Sequence, residues 1–330
     1  MTVAGVSDQD YLVLIDSRII AVHGWNHPPG FAVGEIAFVP DKTGDRVFLG
    51  TRYRKAYTAN GRGMPEASRK TIRSRTGLFY DTAQLFSTKS IVDMDDVAIH
   101  IDASVAPGIE GNRAAARQMH DVLGETERVT EGGTGRIHTG LTGSLRLGAV
   151  SRSGDMSAHD VDIVFTGDLG DISDMTRRIS SGVAAHPELR LYEHGKGWRI
   201  RARTRAGILC PFFGYDDPRS SPLYGLRMVR TVRERVTVSG MVIDDTHNAY
   251  LPTHLTIRPT ETSCLLPPAI CQEMPVIISH LRSRGDFFRG DCGIFTGDLI
   301  ELAFDSHEKL ALSVLDGTES VLLTPPWLPF

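Results

Sequence analysis

Two runs decide how this sequence reads: Leu141-Thr142-Gly143-Ser144-Leu145-Arg146-Leu147-Gly148 and, after a polar interval, His159-Asp160-Val161-Asp162-Ile163-Val164-Phe165. Residues 161–165 have the length and β-branched content of a buried strand. Side chains alternate along a strand, so Asp160 and Asp162 share one face while Val161 points to the other. Two carboxylates placed this way are suited to one or two Mg2+ (or Mn2+) ions. The Gly143-Ser144 turn lets backbone N–H groups approach phosphate oxygens. The Ser144 hydroxyl is a further donor, Thr142 borders the same cradle, and a helix starting there would add its positive end. The two runs together predict a nucleoside triphosphate at 142–144, with metal at Asp160 and Asp162.

Outward from this pair, residues 109–127 carry helix formers at three-to-four spacing, and 172–185 read as a second helix with one apolar face. Residues 136–141 enter as a strand or tight turn after a glycine cluster. A hairpin is expected from 198–204 against 208–213, turning at Ala206-Gly207. Arg199, Arg201, Arg203 and Arg205 alternate along its first arm. They should therefore share a face, and Arg201 and Arg203 are candidates for holding the triphosphate.

Strand-like runs at 11–15, 19–22 and 32–40 predict a small antiparallel sheet before this core, and 236–243, 254–257, 299–304 and 310–315 predict a β-barrel or sandwich after it. The expected class is α+β: a central mixed sheet with helices, flanked by two small β modules. The expected boundaries are 1–128, 129–228 and 229–330. A length of 330 residues fits two or three modules, and 41% hydrophobic with 23% charged residues fits a folded chain.

A net charge of −4 argues against a surface wholly adapted to a polyanion, although local basic patches keep RNA open as an acceptor. The start of the chain lacks the basic segment and apolar run of a secretory signal, and no stretch of about 18 apolar residues is present. A cytoplasmic location with no membrane partner is expected. Cys210, Cys264, Cys271 and Cys292 lack the paired short spacings of a zinc site.

Gly143-Ser144 ahead of Asp160-Val161-Asp162 resembles the DNA polymerase beta-like nucleotidyltransferase superfamily, whose members carry Gly-Ser before an Asp-x-Asp strand. The motif match covers about 25 residues. More widely, 21–40, the Gly-Ser block and 238–245 look similar to poorly characterised nucleotidyltransferases of archaea and bacteria. The resemblance implies a core sheet carrying metal-binding carboxylates and transfer of a nucleoside monophosphate to an acceptor, with release of pyrophosphate.

The sequence departs from that pattern in two places. Residues 151–158 lengthen the link between Ser144 and Asp160, and the strand over 208–213 lacks the third carboxylate common in active members. Asp216, followed by Asp217, is the next candidate to complete the site and activate an acceptor hydroxyl. The alternative for Asp216-Asp217-Pro218 is a polar turn. His138 and His159 flank the two motifs. Arg52-Tyr53-Arg54-Lys55 and the basic segment 60–75 are given no role. A small-molecule acceptor is favoured by the mild acidity; RNA, a protein side chain, or a non-catalytic nucleotide-binding module are the alternatives.

Overall fold

A computed structural model describes residues 5–25, 27, 30–56, 90–104, 113–130, 136–147, 160–193, 196–314 and 320–323. The basic segment 60–75, the lengthened link 151–158 and His159 lie outside these residues.

The first module is a seven-stranded antiparallel sheet: β1 (Tyr11–Leu14), β2 (Ile19–Val22), β3 (Phe31–Pro40), β4 (Arg46–Phe48), β5 (Thr51–Lys55), β6 (Ser90–Asp93) and β7 (Val97–Ile101). The spatial order is β4-β5-β3-β2-β1-β7, with β6 paired to β3. Its strands alternate between two apolar clusters. Tyr11, Val13, Ile19 and Ala21 face one side; Leu12, Leu14, Ile20 and Val22 face the other. Both faces are therefore covered, which explains why these strands read as continuous apolar runs.

The middle of the chain contributes α1 (Arg113–Thr130), β8 (His138–Leu141), the single turn α2 (Gly143–Arg146), β9 (Asp160–Gly167) and α3 (Leu169–Ala185). After these come β10 (Tyr192–Glu193), β11 (Lys196–Gly197), β12 (Ala202–Arg203) and β13 (Ile208–Tyr215). Four strands pair in the order β12-β13-β9-β8, with β13 parallel to β9 and the other pairs antiparallel. Ile172, Met175, Ile179 and Val183 form the buried stripe of α3. They pack on Val161, Ile163 and Phe165, the odd-numbered face of β9. Each such side chain contributes about 1.5–3 kcal/mol on full burial.

The last module holds β14 (Leu226–His247), β15 (Thr253–Thr262), β16 (Met274–Ile278), β17 (Cys292–Phe304), β18 (Glu308–Val314) and β19 (Ser320–Leu323). Pairing runs β14-β15-β16-β18-β17, and β14 also pairs with β17, so the sheet curls back on itself around Val238, Ile257, Val276, Phe295 and Leu312. The modules share apolar clusters. Val33 of β3 packs with Leu226, Ile277 and Ile300, and Tyr250 joins the cluster under β9 and β13.

The α+β class expected from the sequence is overturned. The described residues are mostly β, built around large curled antiparallel sheets, with three α-helices among them. The 22-residue strand β14 contributes much of the difference. Its polar stretch around Arg230–Arg235 precedes the 236–243 run expected as strand. It is held extended by β17: Arg230 lies opposite Glu301 and makes an ion pair with it at 2.8 Å. A kink at Arg235, with φ of 54°, falls where the register shifts between Arg233 and Val236. Long-range pairing of this kind overrides local propensity, so the polar stretch carries no local strand signal.

Candidate functional site

The even-numbered face of β9 presents Asp160, Asp162, Val164 and Thr166 in sequence. The parallel register sets Ile208, Cys210, Phe212 and Gly214 of β13 beside them in that order. Asp160 and Asp162 thus share a face, and α2 covers that end. Gly143 has φ of 70°, and a Cβ placed on it would lie 1.9 Å from Asp162 Oδ2. Only glycine combines this backbone with this approach. The turn and the acidic strand are in direct contact, and Thr142 N donates to Asp162 O at 2.9 Å.

The cradle differs in detail from the sequence expectation. Thr142 is buried, and its hydroxyl donates to Gln9 O at 2.7 Å, tying the turn to the first module rather than facing a ligand. The Tyr11 hydroxyl lies against the Thr142 side chain and the Gly143 backbone N–H. The helix that begins here, α2, is a single turn of four residues, too short to supply an aligned macrodipole. Ser144 is partly exposed, and its hydroxyl has no hydrogen-bond partner among the described residues.

Charge at this end is close to balanced. Arg201, buried at 5%, donates from Nη2 to Asp160 Oδ1 at 2.9 Å and from Nη1 to Glu193 Oε2 at 2.5 Å. Burial is the largest influence on its guanidinium and opposes the charge, while the carboxylates of Asp160, Glu193 and Asp162 favour the cation. Burial, then the neighbouring Asp160 charge, holds the Asp162 carboxyl above the usual carboxylate range. Cys210 stands in the register position beside Asp162, and its thiol contacts that carboxylate. Burial pushes the thiol far up, so without a metal it stays protonated.

Arg284 lies over the middle of the face. Its guanidinium is 3.6 Å from the Phe212 ring centre, and Nη2 is 3.6 Å from Cys210 Sγ. It is 3% exposed, and its Nε and Nη1 have no partner among the described residues. Burial works against its charge, while Asp8 and Asp162 favour it. Sequence reasoning missed Arg284, Tyr11, Cys210 and Glu193. Of these, only the lack of a carboxylate on the 208–213 strand left a signal.

Two expected features lie elsewhere. Asp216 follows Tyr215 at the opposite end of β13, six positions beyond Cys210, or about 20 Å at strand rise. It does not join Asp160 and Asp162, because the parallel register carries it away from them. The four arginines do not form one row, because only Ala202–Arg203 is strand. Arg203 is exposed and stands across β13 from Asp160, through Ile208. Arg199 turns away to Asp291 and to the Phe288 ring, and Arg205 sits in the turn, its N–H donating to Glu125. His138 pairs with Thr166 and is also remote from the aspartates.

At the far end the same face opens into a cavity of about 210 Å3 lined by Asp8, Trp25, Ser104, Thr166, Tyr215 and Asp216, among others. Among the described residues no three His, Cys, Asp or Glu side chains converge as a metal cage, and no helix is long and apolar enough to cross a membrane. No family model matches the chain, and neither does any curated protein or solved structure.

Proposed function

We propose that the chain is a nucleotidyltransferase that binds a nucleoside triphosphate at Gly143-Ser144 and transfers its nucleoside monophosphate to a small-molecule acceptor in the cytoplasm. The observation that carries this reading is the contact between Gly143, in a left-handed conformation, and Asp162 Oδ2. It brings a phosphate-type turn onto a strand whose two carboxylates share a face.

The residues fit a cation that arrives with its nucleotide. Asp160 and Asp162 are close enough that one raises the proton affinity of the other, so a cation placed between them would meet two carboxylates. Mg2+ is commonly held by one or two carboxylates plus substrate phosphates, so a protein cage of three side chains is not required. Bound there, Mg2+ would offset charge on the transferred group and on the departing pyrophosphate.

The chain's own groups act around it. Ser144 offers its hydroxyl to the phosphates. Arg201 orients Asp160 through a buried ion pair, and Arg203 adds an exposed cation on the row of Asp160. In the transfer, an acceptor oxygen bonds to the α-phosphorus while the bond from that phosphorus to the α–β bridging oxygen breaks. Pyrophosphate leaves with the electron pair, and the acceptor proton passes to solvent.

A second reading, nucleotide binding without transfer, draws on Cys210 in place of a third carboxylate and on Arg201 occupying Asp160. Pyrophosphate release from each of four nucleoside triphosphates, with Mg2+ and pooled metabolites or RNA, separates the two. Release by wild type that is lost in Asp160→Asn and Asp162→Asn supports transfer. Mg2+-dependent triphosphate binding with no release supports the module, and wild-type release in both variants removes the site.

A further inference from the structure

We propose that the cavity at the far end of the β9–β13 face binds a small molecule through a protonated amine, held by Asp8 and Asp216. The acceptor role of that molecule rests on the nucleotidyl-transfer reading above; the binding itself does not.

Asp8 carries the proposal. It lines the cavity and is 4% exposed. Its Oδ1 accepts from Gly24 N at 2.7 Å and from Gln9 Nε2 at 3.1 Å, while Oδ2 has no partner among the described residues. That oxygen is not enclosed by protein, so it can be reached from the cavity, where a ligand N–H could donate to it. The neighbouring Asp10 is different. Its two oxygens accept from His100 Nε2, Ala103 N and Ser7 N, each at 2.8 Å, so it serves the fold.

The rest of the lining sets the ligand's chemistry. Asp216 adds an exposed carboxylate, and Ser7, Ser104 and Thr166 supply hydroxyls. Trp25 packs edge-on to Tyr215, with ring centres 5.6 Å apart, so an aromatic wall adjoins the carboxylates. Cations are attracted both to carboxylates and to aromatic faces. The cavity holds about 210 Å3, which suits a ligand smaller than those of most small-molecule sites. Trp25 can lie on the sheet because Gly214 has no side chain; a Cβ there would be 3.0 Å from its ring.

The position suits an acceptor. Val164 lines the cavity and is two residues from Asp162 on the same strand face, about 7 Å at strand rise. A molecule anchored by its amine at Asp8 would extend along this face toward the aspartates.

Two matched pairs of probes test the site with the full chain, without nucleotide or metal: glucosamine against glucose, and tyramine against the alcohol that replaces its amine. Titration calorimetry or ligand-observed NMR should show at least one amine binding about tenfold more tightly than its neutral partner. Asp216→Asn should weaken that binding about threefold while leaving Mg2+–ATP binding unchanged. Asp8→Asn should remove it; if that variant does not fold, Asp216→Asn alone decides. No binding of either amine, equal binding of amine and neutral partner, or indifference to Asp216→Asn overturns the proposal. Loss of Mg2+–ATP binding in the wild type, with amine binding intact, removes the nucleotidyl-transfer reading and leaves the cavity's assignment standing.

Discussion

The two ends of the β9–β13 face are built from the same two strands and carry similar side chains, yet they differ in charge balance and access. At one end Asp160 and Asp162 are crowded by Gly143, Cys210 and a buried Arg201. At the other, Asp8 and Asp216 border open volume, with one carboxylate oxygen of Asp8 unused. Arg284 lies between them, its charge favoured by Asp8 and Asp162 alike. A carboxylate becomes a structural strut or an open binding group according to what the rest of the chain brings against it.

The comparison breaks most severely at Gly143. Gly143→Val puts a β-branched side chain into a left-handed backbone and onto Asp162 Oδ2. The strain alone costs about 1–2 kcal/mol, and the overlap brings the loss to about 3–4 kcal/mol. Urea denaturation should show this drop; a variant as stable as the parent would mean that the turn does not press on the aspartate.

Asp162 offers the next largest effect. Asp162→Asn should lower triphosphate turnover at least about a hundredfold, roughly 2.7 kcal/mol, while its melting temperature without metal stays level or rises. The folded carboxyl binds its proton more tightly than the unfolded one, so its ionisation destabilises the fold as pH rises. A marked fall in metal-free stability would recast Asp162 as a strut.

Asp8 gives the corresponding measurement at the open end. Burial, the largest influence, raises its pKa to about 7; the Gly24 N–H, Arg284 and Gln9 oppose the rise, and Asp10 adds to it. Tyr215 and Asp216 also face the cavity. From the unfolded value of about 3.8 up to about 7 the folded chain keeps a proton that the unfolded chain has lost, so stability from this group falls with rising pH across that window. Asp8→Asn should flatten that part of the stability profile by roughly 4 kcal/mol, about 1.4 kcal/mol for each pKa unit between the two values. In the parent, amine affinity should climb as pH rises through about 7, when Asp8 ionises. A profile identical in parent and variant would place its titration elsewhere.

The smallest effect belongs to Arg203. It is exposed and two strands from Asp160, so Arg203→Gln should weaken triphosphate binding no more than about threefold at low salt, with the difference vanishing at high salt. Arg201→Gln should do more, because it strips a buried partner from both Asp160 and Glu193. Equal effects would restore the idea of a single arginine row.

Some of this was readable from the residues alone. The period-two placement of Asp160 and Asp162, the apolar stripe of α3 and the continuous strands of the first module are local patterns, fixed by backbone geometry within a few residues. The left-handed demand at Gly143 is likewise a property of glycine. What lay outside local pattern was decided by pairing between distant strands. The parallel register of β9 with β13 sets Cys210 beside Asp162 and carries Asp216 to the other end, although both are close in sequence to the expected third carboxylate. The pairing of β14 with β17 turns a polar run into strand and the expected α+β class into a mostly β molecule. Arg284, far along the chain, reaches the face through a turn with no motif to mark it. Register and long-range packing depend on which surfaces exclude water together, and no window of sequence contains both partners.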